Sequence, residues 1–278
     1  MNSRLILAAG LIAATTATGA AAQDAVNWTG PYVGGRVGYG WITNSGDERL
    51  RFDTDLDGGV GNTVRTVTGA NAFSPGFCGG YAKGPTAAEG CGKDKKGVDF
   101  AIHAGYDFQD EGQPFVYGIV VEVGSSAAKD AVSGFSTTPA FYTMERKVKY
   151  DATLRGRAGY AFGKTLVYGT AGGTWAKVRN RFTTSNGANA FSDNGNENAW
   201  GFKVGGGAEH MLAKNISIGV LYLYSNLDAD DFTVRSGNSG TTPATNPFLL
   251  DNAAGTDIKR SFKRFDQHSV SLTASLRF

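Results

Sequence analysis

The chain ends in the stretch Ser269-Val270-Ser271-Leu272-Thr273-Ala274-Ser275-Leu276-Arg277-Phe278, in which polar and apolar residues alternate without a break. Every even position is apolar, and an aromatic residue closes the chain. Because successive side chains of a strand point to opposite faces, this pattern predicts a strand with one apolar and one polar face. A tilted strand of about ten residues is long enough to cross a membrane.

Seven further segments alternate in the same way, although the facing of the glycine-rich fifth segment stays open. We predict strands over residues 32–41, 98–108, 114–124, 148–162, 166–178, 199–212, 216–227 and 265–278. The sequence has no run of 18 apolar residues for a transmembrane helix, and its mean hydropathy is −0.23. Lipid-facing and inward-facing residues average out in this way in membrane barrels. The predicted fold is all-β, an eight-stranded antiparallel up-and-down transmembrane β-barrel.

The connections between these segments support the same fold. Tight turns are expected at residues 110–113, 163–165 and 213–215, and long loops at residues 42–97, 125–147, 179–198 and 228–264. Outer-membrane barrels have short periplasmic turns and long extracellular loops, whereas a soluble β-sandwich does not sort its loops by length. The alternation predicts four extracellular loops and two periplasmic chain ends.

Residues 1–22 have the pattern of a cleaved signal peptide. Arg4 precedes a short apolar run over residues 5–14, and Ala20-Ala21-Ala22 supplies small residues for cleavage before Gln23. The run is too short and too rich in alanine and threonine for a membrane anchor. We therefore expect residues 23–278 to form the exported barrel domain. In an exported protein, Cys78 and Cys91 are expected to form a disulfide.

Aromatic residues collect near both ends of the predicted strands, as in the girdles of membrane barrels. At the loop ends they are Trp41, Tyr150, Trp175, Trp200, Phe202, Tyr224 and Phe265. At the turn ends they are Phe108, Phe115, Tyr117, Tyr160, Phe162, Tyr168 and Phe278. The net charge of +2 is too small to indicate a nucleic-acid partner.

The polar faces of the strands carry charges of both signs. The basic residues are Arg36, Lys149, Arg155, Arg157, Lys203 and Arg277, and the acidic ones are Asp99, Asp107, Glu122, Asp151 and Glu209. We predict a lumen ion-pair network that also includes His103, because buried charges are tolerated only when paired. An eight-stranded barrel is just wide enough for side chains to fill it. A plugged lumen is therefore predicted, with a polar path for small solutes as the alternative.

A second basic set lies where strands meet the long loops. It comprises Arg146, Lys147, Arg179, Arg181, Lys259, Arg260, Lys263 and Arg264. Such a rim could clamp the phosphates of lipopolysaccharide, or it could simply be a solvated edge.

Asp53, Asp55 and Asp57, followed by Gly58, match the first half of a calcium-binding loop. The twelfth position is Val64, which lacks the bidentate carboxylate, so a solvated acidic loop tip is the alternative. No cofactor is predicted.

The sequence does not predict an enzyme. His210 is expected near the turns and His268 near the loops, so the two cannot share a site. Strand parity sends Ser225 and His268 to opposite faces, and a nucleophile needs its base within hydrogen-bond reach.

The stretch Trp28-Thr29-Gly30-Pro31-Tyr32-Val33-Gly34-Gly35-Arg36-Val37-Gly38-Tyr39-Gly40-Trp41 resembles the first strand of a large alphaproteobacterial outer-membrane family. The closing strand and residues 156–162 are similar to that family as well. The resemblance implies an eight-stranded barrel in the cell outer membrane, of a group that includes surface antigens, porin-like proteins and hemin-binding proteins. One departure is that Leu221 and Leu223 stand where the family often has an inward glutamate and a basic residue.

We expect a role in membrane integrity and surface contact, with outer-membrane lipid and lipopolysaccharide as partners. A small-solute porin is the first alternative. Capture of a hemin-like ligand or a host factor by the loops is the second. The aromatic residues available for it are Phe73, Phe77, Tyr81, Phe141, Tyr142 and Phe248.

Overall fold

The computed structural model describes residues 26–43 and 47–278, so the predicted signal peptide lies outside the described residues. Within the described part, no helix has the length and apolar composition needed to cross a bilayer. The two helices are short 3-10 turns, Ala87–Glu89 and Pro247–Leu249. Strands make up the rest of the regular structure: β1 (Gly30–Ile42), β2 (Leu50–Asp53), β3 (Gly76–Gly79), β4 (Tyr81–Ala82), β5 (Cys91–Gly92), β6 (Gly97–Gln109), β7 (Phe115–Ser126), β8 (Asp130–Ser136), β9 (Ala140–Phe162), β10 (Thr165–Thr184), β11 (Asn189–Asp193), β12 (Glu197–Ala213), β13 (Ile216–Asp228), β14 (Val234–Asn238), β15 (Thr256–Arg260) and β16 (Arg264–Arg277).

Eight of these strands form a closed antiparallel barrel, which confirms the predicted fold. Its order is β1-β6-β7-β9-β10-β12-β13-β16, and β16 pairs back onto β1. The closing register places Val33 opposite Leu276. Closure pairs every barrel strand on both sides, so no backbone edge is left open to lipid. Six strands match their predicted bounds to within about two residues, whereas β9 and β10 continue well past the predicted loop ends at residues 148 and 178.

The two faces of the barrel follow the predicted alternation. Apolar side chains such as Ile102, Leu154 and Leu272 are exposed on the outer surface, where lipid surrounds them. Inward residues of the same strands, such as Thr153 and Ser271, are buried and polar. The barrel is therefore apolar outside and polar inside.

The predicted aromatic girdles are present, with two corrections. Trp200 is 70 % exposed and Phe278 is 73 % exposed, one near each end of the barrel. Tyr168 and Phe265 were assigned to the girdles wrongly, because their positions in β10 and β16 point inward and both are buried. Strand parity, rather than height along the strand, decides which aromatic residues reach the lipid.

The long connections fold into a second structure, which we call the dome: residues 47–96, 127–149, 178–196 and 229–263. Its sheet has the order β11-β14-β15-β2 and draws on the first, third and fourth long loops. The second loop forms a hairpin in which β8 pairs with the upper half of β9, and β3 pairs with β8. The sequence alternation predicted loops here and missed these strands.

The dome has a hydrophobic core of its own. Its buried members include Leu50, Phe52, Val64, Phe73, Val132, Tyr142, Met144, Val234, Phe248 and Ile258. They come from the first, second and fourth long loops, and Phe182 and Phe191 of the third loop pack against them. The loops therefore cover the open end of the barrel as one packed unit.

Strand β9 enters the dome through a β-bulge at Lys149. In its pairing with β10, Lys177 lies opposite Tyr150 and Val178 lies opposite Val148, so Lys149 has no partner. An extra residue reverses the facing of the residues beyond it. Even-numbered residues of β9 therefore face lipid below the bulge and the dome core above it.

Candidate functional site

Ten inward-facing charged side chains form two ion-pair clusters in the lumen. The central cluster comprises Arg36, Asp99, Glu122, Asp151, Arg155 and Lys203. The lower cluster, nearer the tight turns, comprises Asp107, Arg157, Glu209 and Arg277. Each cluster has as many basic as acidic members, so each is formally neutral.

Glu122 is the hub of the central cluster. Its carboxylate accepts from Arg36 Nη2 at 3.0 Å and from Arg155 Nη2 at 2.8 Å, and it lies 3.5 Å from Lys203 Nζ. Arg36 also pairs with Asp99, and Lys203 Nζ lies 2.5 Å from Asp151. With Glu122 only 1 % exposed, these three cations replace the water that its charge would otherwise need.

The lower cluster is held between two arginines. Arg157 donates to Asp107 at 2.7 Å through Nε and to Glu209 at 2.7 Å through Nη1. Arg277, from the closing strand, reaches Asp107 Oδ2 at 2.5 Å. The Arg157 guanidinium also lies 4.6 Å from the ring centre of Tyr32. This cluster therefore links strands from opposite sides of the barrel.

Two predicted members of the network fall outside the clusters. His103 borders them, half-buried, with Nε2 2.9 Å from Ser275 Oγ. The prediction for Lys149 is wrong: the bulge turns its side chain to the outside, where Nζ lies 5.8 Å from the Tyr150 ring centre. Without Lys149, the inward charges balance.

An apolar layer closes the lumen below the lower cluster. Trp28 is fully buried there and belongs to an apolar cluster with Val116, Leu166 and Met211. The same cluster continues up β13 beside the ion pairs through Leu221 and Leu223, which lie opposite Gly207 and Gly205, above the level of Glu209. Its carbonyl accepts from Arg277 Nη2 at 2.7 Å, and Arg277 lies 4.9 Å from its ring centre. Sequence reasoning missed this role, although Trp28 shares the inward parity of Tyr32 and Arg36 on the first strand. Leu221 and Leu223, the leucines that depart from the resembled family, line the lumen wall above this layer.

A second apolar layer closes the lumen above the central cluster. It contains Val148, Ala176, Val178, Ala199, Leu227 and Phe265. Between this layer and the central cluster lies a cavity of about 20 Å³, bordered by Arg36, Asp99 and Gln267. That volume holds about one water molecule.

Arg146 and Arg260 were placed wrongly on the solvent-exposed rim. They are 2 % and 8 % exposed and belong to a buried ion-pair cluster at the base of the dome. Arg146 Nε donates to Asp130 at 2.7 Å, and Arg260 Nη2 lies 2.9 Å from Asp130 and 2.6 Å from Glu48. Neither arginine is free to hold a lipid phosphate. No pattern in the sequence predicts this cluster, because up to 212 residues separate its partners along the chain.

Burial and pairing shift the two carboxyl groups of this dome cluster in opposite directions. Burial raises the pKa of Glu48 above its ordinary value, and the nearby Asp130 carboxylate adds to that effect. Burial also opposes ionisation of Asp130, but the guanidinium groups of Arg260 and Arg146 outweigh it and hold the pKa of Asp130 below its ordinary value. Asp130 is therefore the carboxylate on which the cluster depends.

The other predicted rim residues lie on different surfaces. Lys147, Arg179 and Arg181 lie on the outward faces of β9 and β10. Lys263 is exposed and pairs with Asp230 at 2.5 Å, and Arg264 donates to Asn226 Oδ1 at 2.5 Å. The sixth, Lys259, is half-buried in β15.

Asp53, Asp55 and Asp57 come together at the end of β2, with carboxylate oxygens within 4.8 Å of one another. Both oxygens of Asp53 already accept backbone N–H groups, from Leu56 at 2.8 Å and Gly58 at 2.9 Å. These bonds shape the turn in which Leu56 and Gly58 adopt positive φ values. The calcium site stays a prediction.

The loop aromatics pack mainly against one another. Phe73, Tyr142 and Phe248 are buried in the dome core, and Phe77, Tyr81 and Phe141 are half-buried. Phe73, Tyr142 and Phe248 line the bottom of a pocket of about 270 Å³, and Thr137 and Asn186 are among its wall residues. The lining residues that the structure describes include no charged side chain. This pocket therefore offers no cation to an acidic ligand.

Cys78 and Cys91 form the predicted disulfide. It joins β3 to β5 within the first long loop.

The histidines are dispersed, as predicted. His210 Nδ1 pairs with Thr165 Oγ1 beside a tight turn, and His268 Nδ1 pairs with the Tyr222 hydroxyl near the loop end. Ser225 is opposite Gln267 in the register, on the face opposite to His268. The arrangement does not bring a base to this serine.

Known proteins with similar sequences are outer-membrane proteins. The chain is 28 % identical over 222 residues to the 31 kDa outer-membrane immunogenic protein of Brucella melitensis, covering 78 % of each chain. It is 31 % identical over 149 residues to the 22 kDa outer membrane protein of Rhizobium leguminosarum, covering 53 % of this chain and 62 % of that protein.

Among solved structures, the outer membrane protein OprG from Pseudomonas aeruginosa aligns with a TM-score of 0.48 at 12 % identity, covering 91 % of this chain and 99 % of that one. Residues 10–278 match the family described as the outer membrane protein beta-barrel domain. The chain belongs to that family and is a protein of the cell outer membrane.

Proposed function

We propose that this barrel does not conduct solutes, has no enzymatic activity, and serves the outer membrane as a structural element that displays a folded dome at the cell surface. The observation that carries the proposal is the filling of the lumen. From bottom to top, the interior consists of the Trp28 layer, the two ion-pair clusters and the Phe265 layer. The dome covers the upper end.

A porin role would need a continuous polar path. The charged residues that could line one are bonded to each other across the barrel, and apolar layers lie above and below them. The cavity of about 20 Å³ is too small for a hydrated ion. Eight strands leave room for side chains and little more.

Conductance of the refolded chain in a planar bilayer tests this proposal. The wild type should be silent. The double variant Glu122→Ser and Arg155→Ser removes one negative and one positive charge. It leaves Arg36 paired with Asp99 and Lys203 paired with Asp151. This variant should show brief currents more often than the wild type. Replacing the exposed pair Asp230 and Lys263 with serine is the matched control. A steady, reproducible current through the wild type would establish the porin alternative instead.

The surface role is assigned to the dome. The Brucella relative is named an immunogenic protein, and the dome is the part of this chain that would meet antibodies or host surfaces. We do not assign hemin capture to the dome, because its aromatics are packed in the core and its pocket has uncharged walls. Surface labelling of intact cells at an engineered cysteine, Ser239→Cys, should succeed; protection from a membrane-impermeant reagent would contradict this placement.

The structural role includes contact with lipopolysaccharide. Five of the rim cations are exposed or half-exposed on the outside of the strands or at the loop bases: Lys147, Arg179, Arg181, Lys263 and Arg264. Guanidinium and ammonium groups at this height can bind headgroup phosphates.

A further inference from the structure

One wall of the barrel carries a dense group of cations immediately above the membrane-facing aromatics. We call it the β9–β10 stripe, and its residues are Lys147, Lys149, Lys177, Arg179 and Arg181. The register places Lys177 opposite Tyr150 and Arg179 opposite Lys147. Lys149 joins the stripe because the bulge turns it outward. With about 3.3 Å per residue and about 4.8 Å between strands, five cations occupy a patch roughly 13 Å tall and two strands wide.

These cations are not neutralised by the protein. Among the residues that the structure describes, none of the five has a carboxylate within ion-pair distance. Arg181 is opposite Glu145 in the register, but that carboxylate accepts from Lys129 at 2.8 Å and from the Tyr81 hydroxyl at 2.6 Å. Lys177 Nζ donates to the Asn198 amide oxygen, at 3.2 Å.

The height of the stripe matches a lipid headgroup. Directly below it, Trp175 is opposite Trp200 in the register, and its ring centre lies 5.8 Å from that of Tyr150. Interfacial aromatics of this kind mark the boundary between acyl chains and headgroups. One residue pair further from the membrane, the cations are therefore at the depth of headgroup phosphates.

The opposite wall differs in charge. Above Tyr222 and Tyr224 on β13, Asp228 is exposed, and Asp266 accepts from the Tyr224 hydroxyl at 2.7 Å. Lys263 is bound to Asp230. This wall also carries Lys263 and Arg264, but the negative charges at the same height would repel an anionic lipid. The β9–β10 side is therefore the stronger surface for an anionic lipid.

We propose that the β9–β10 stripe is a binding site for one lipopolysaccharide molecule, with its cations on the phosphates of the lipid A headgroup and Trp175 and Trp200 against its acyl chains. The spread of the cations suits a headgroup with two phosphates at opposite ends of a disaccharide better than a lipid with one. The site rests on the proposed contact with lipopolysaccharide and does not depend on the closed lumen.

The test compares two variants that each remove three positive charges. The stripe variant is K147Q/R179Q/R181Q, and the control is K259Q/K263Q/R264Q on the other side of the barrel. Binding of purified diphosphoryl lipid A to the refolded chain is measured in zwitterionic detergent, and folding of each variant is checked by its heat-dependent gel migration. The stripe variant should lose about 10- to 100-fold in affinity, since each cation near an anionic headgroup contributes roughly five-fold. The control should stay within about two-fold.

The alternative outcomes are distinct. Equal losses in both variants would replace the stripe with a diffuse rim contact, and no loss in either would remove lipopolysaccharide contact altogether. Equal affinity for monophosphoryl lipid A, or displacement by millimolar inorganic phosphate, would overturn a two-phosphate lipid site. The single change Lys149→Gln alters an exposed side chain without an ion pair among the described residues and keeps the backbone bulge. It should weaken binding about five-fold and keeps the test decisive if the triple variant fails to fold.

Discussion

In the barrel, the buried side of six of the eight strands carries basic residues or carboxylates, whereas in the dome the buried side carries phenylalanine, methionine and valine. The difference follows from what surrounds each region. Lipid surrounds the barrel, so its apolar residues gain by facing out and its polar residues must satisfy one another inside. Water surrounds the dome, so its apolar residues gain by facing in.

The exception in the dome sharpens the comparison. Glu48, Asp130, Arg146 and Arg260 form a buried ionic cluster at the base of the dome, next to the upper apolar layer of the barrel. Arg146 also donates to the backbone carbonyl of Arg264 at 2.6 Å, at the start of the last barrel strand. The two regions therefore meet through directional bonds that fix one on the other.

The largest effect is expected from breaking the hub of the barrel interior. Glu122→Ala leaves Arg36, Arg155 and Lys203 short of one negative charge in a buried site, and the free energy of unfolding should fall by roughly 3–5 kcal/mol. Urea unfolding in detergent micelles measures it. The control is Glu145→Ala, whose carboxylate also binds a lysine but at the surface, and it should cost less than about 1 kcal/mol. Equal costs would show that lumen pairing does not stabilise the barrel.

The disulfide tests whether the dome can loosen independently of the barrel. Replacing Cys78 and Cys91 with alanine removes a loop constraint worth about 3 kcal/mol in the chain-entropy model. Hydrogen exchange should speed up in residues 76–96 and leave the barrel strands unchanged. Faster exchange throughout β1 and β16 would mean that dome and barrel unfold as one unit.

The same deletion of one methylene group compares the two apolar environments directly. Ile258→Val, fully buried in the dome core, should cost roughly 0.5–1.5 kcal/mol because a cavity remains. Ile102→Val, which is 70 % exposed on the lipid face, should cost less, because lipid chains fill the space. Thermal unfolding of the two variants under one set of conditions decides. A larger cost for Ile102→Val would contradict this account.

The effect of acid on the base of the dome should be the smallest. The pKa of Glu48 is raised in the folded state, so its carboxyl group binds a proton at a higher pH when folded than when unfolded, where its pKa has the ordinary value of 4.5. Protonation of Glu48 in mild acid therefore does not lower the stability of the dome. The lowered pKa of Asp130 means that the stability from its ionised form is lost only as the pH falls below the ordinary value of 3.8. The protection of dome amides against hydrogen exchange, taken relative to the pH-dependent intrinsic exchange rate, should therefore change little between pH 7 and 4 and fall below about pH 3.8. Loss of that protection already at pH 5 would contradict this assignment.

The long strands β9 and β10 show where sequence reasoning succeeded and where it could not. Both pass from the lipid-embedded barrel into the dome. In the barrel the outer face of the sheet contacts lipid, whereas in the dome the inner face contacts the hydrophobic core. In β10 the sequence changes parity, from Val167 and Trp175 outside to Val178 and Phe182 inside, which is a readable signal. In β9 the apolar residues stay on even positions, and the bulge at Lys149 reverses the backbone instead.

The sequence by itself determined the barrel: alternation, loop lengths and the aromatic ends are local patterns that lipid imposes on each strand separately. The sequence also predicted twelve residues for the lumen network, and ten of them lie in the two ion-pair clusters. Alternation along a strand was enough for this, because it tells which residues face inward. Only the tertiary structure decided the dome, the burial of Arg146 and Arg260, the Trp28 layer and the outward turn of Lys149. Those features depend on partners far apart in the chain. A period-two pattern predicts which face of the sheet a residue lies on, but it does not predict which residue it will contact.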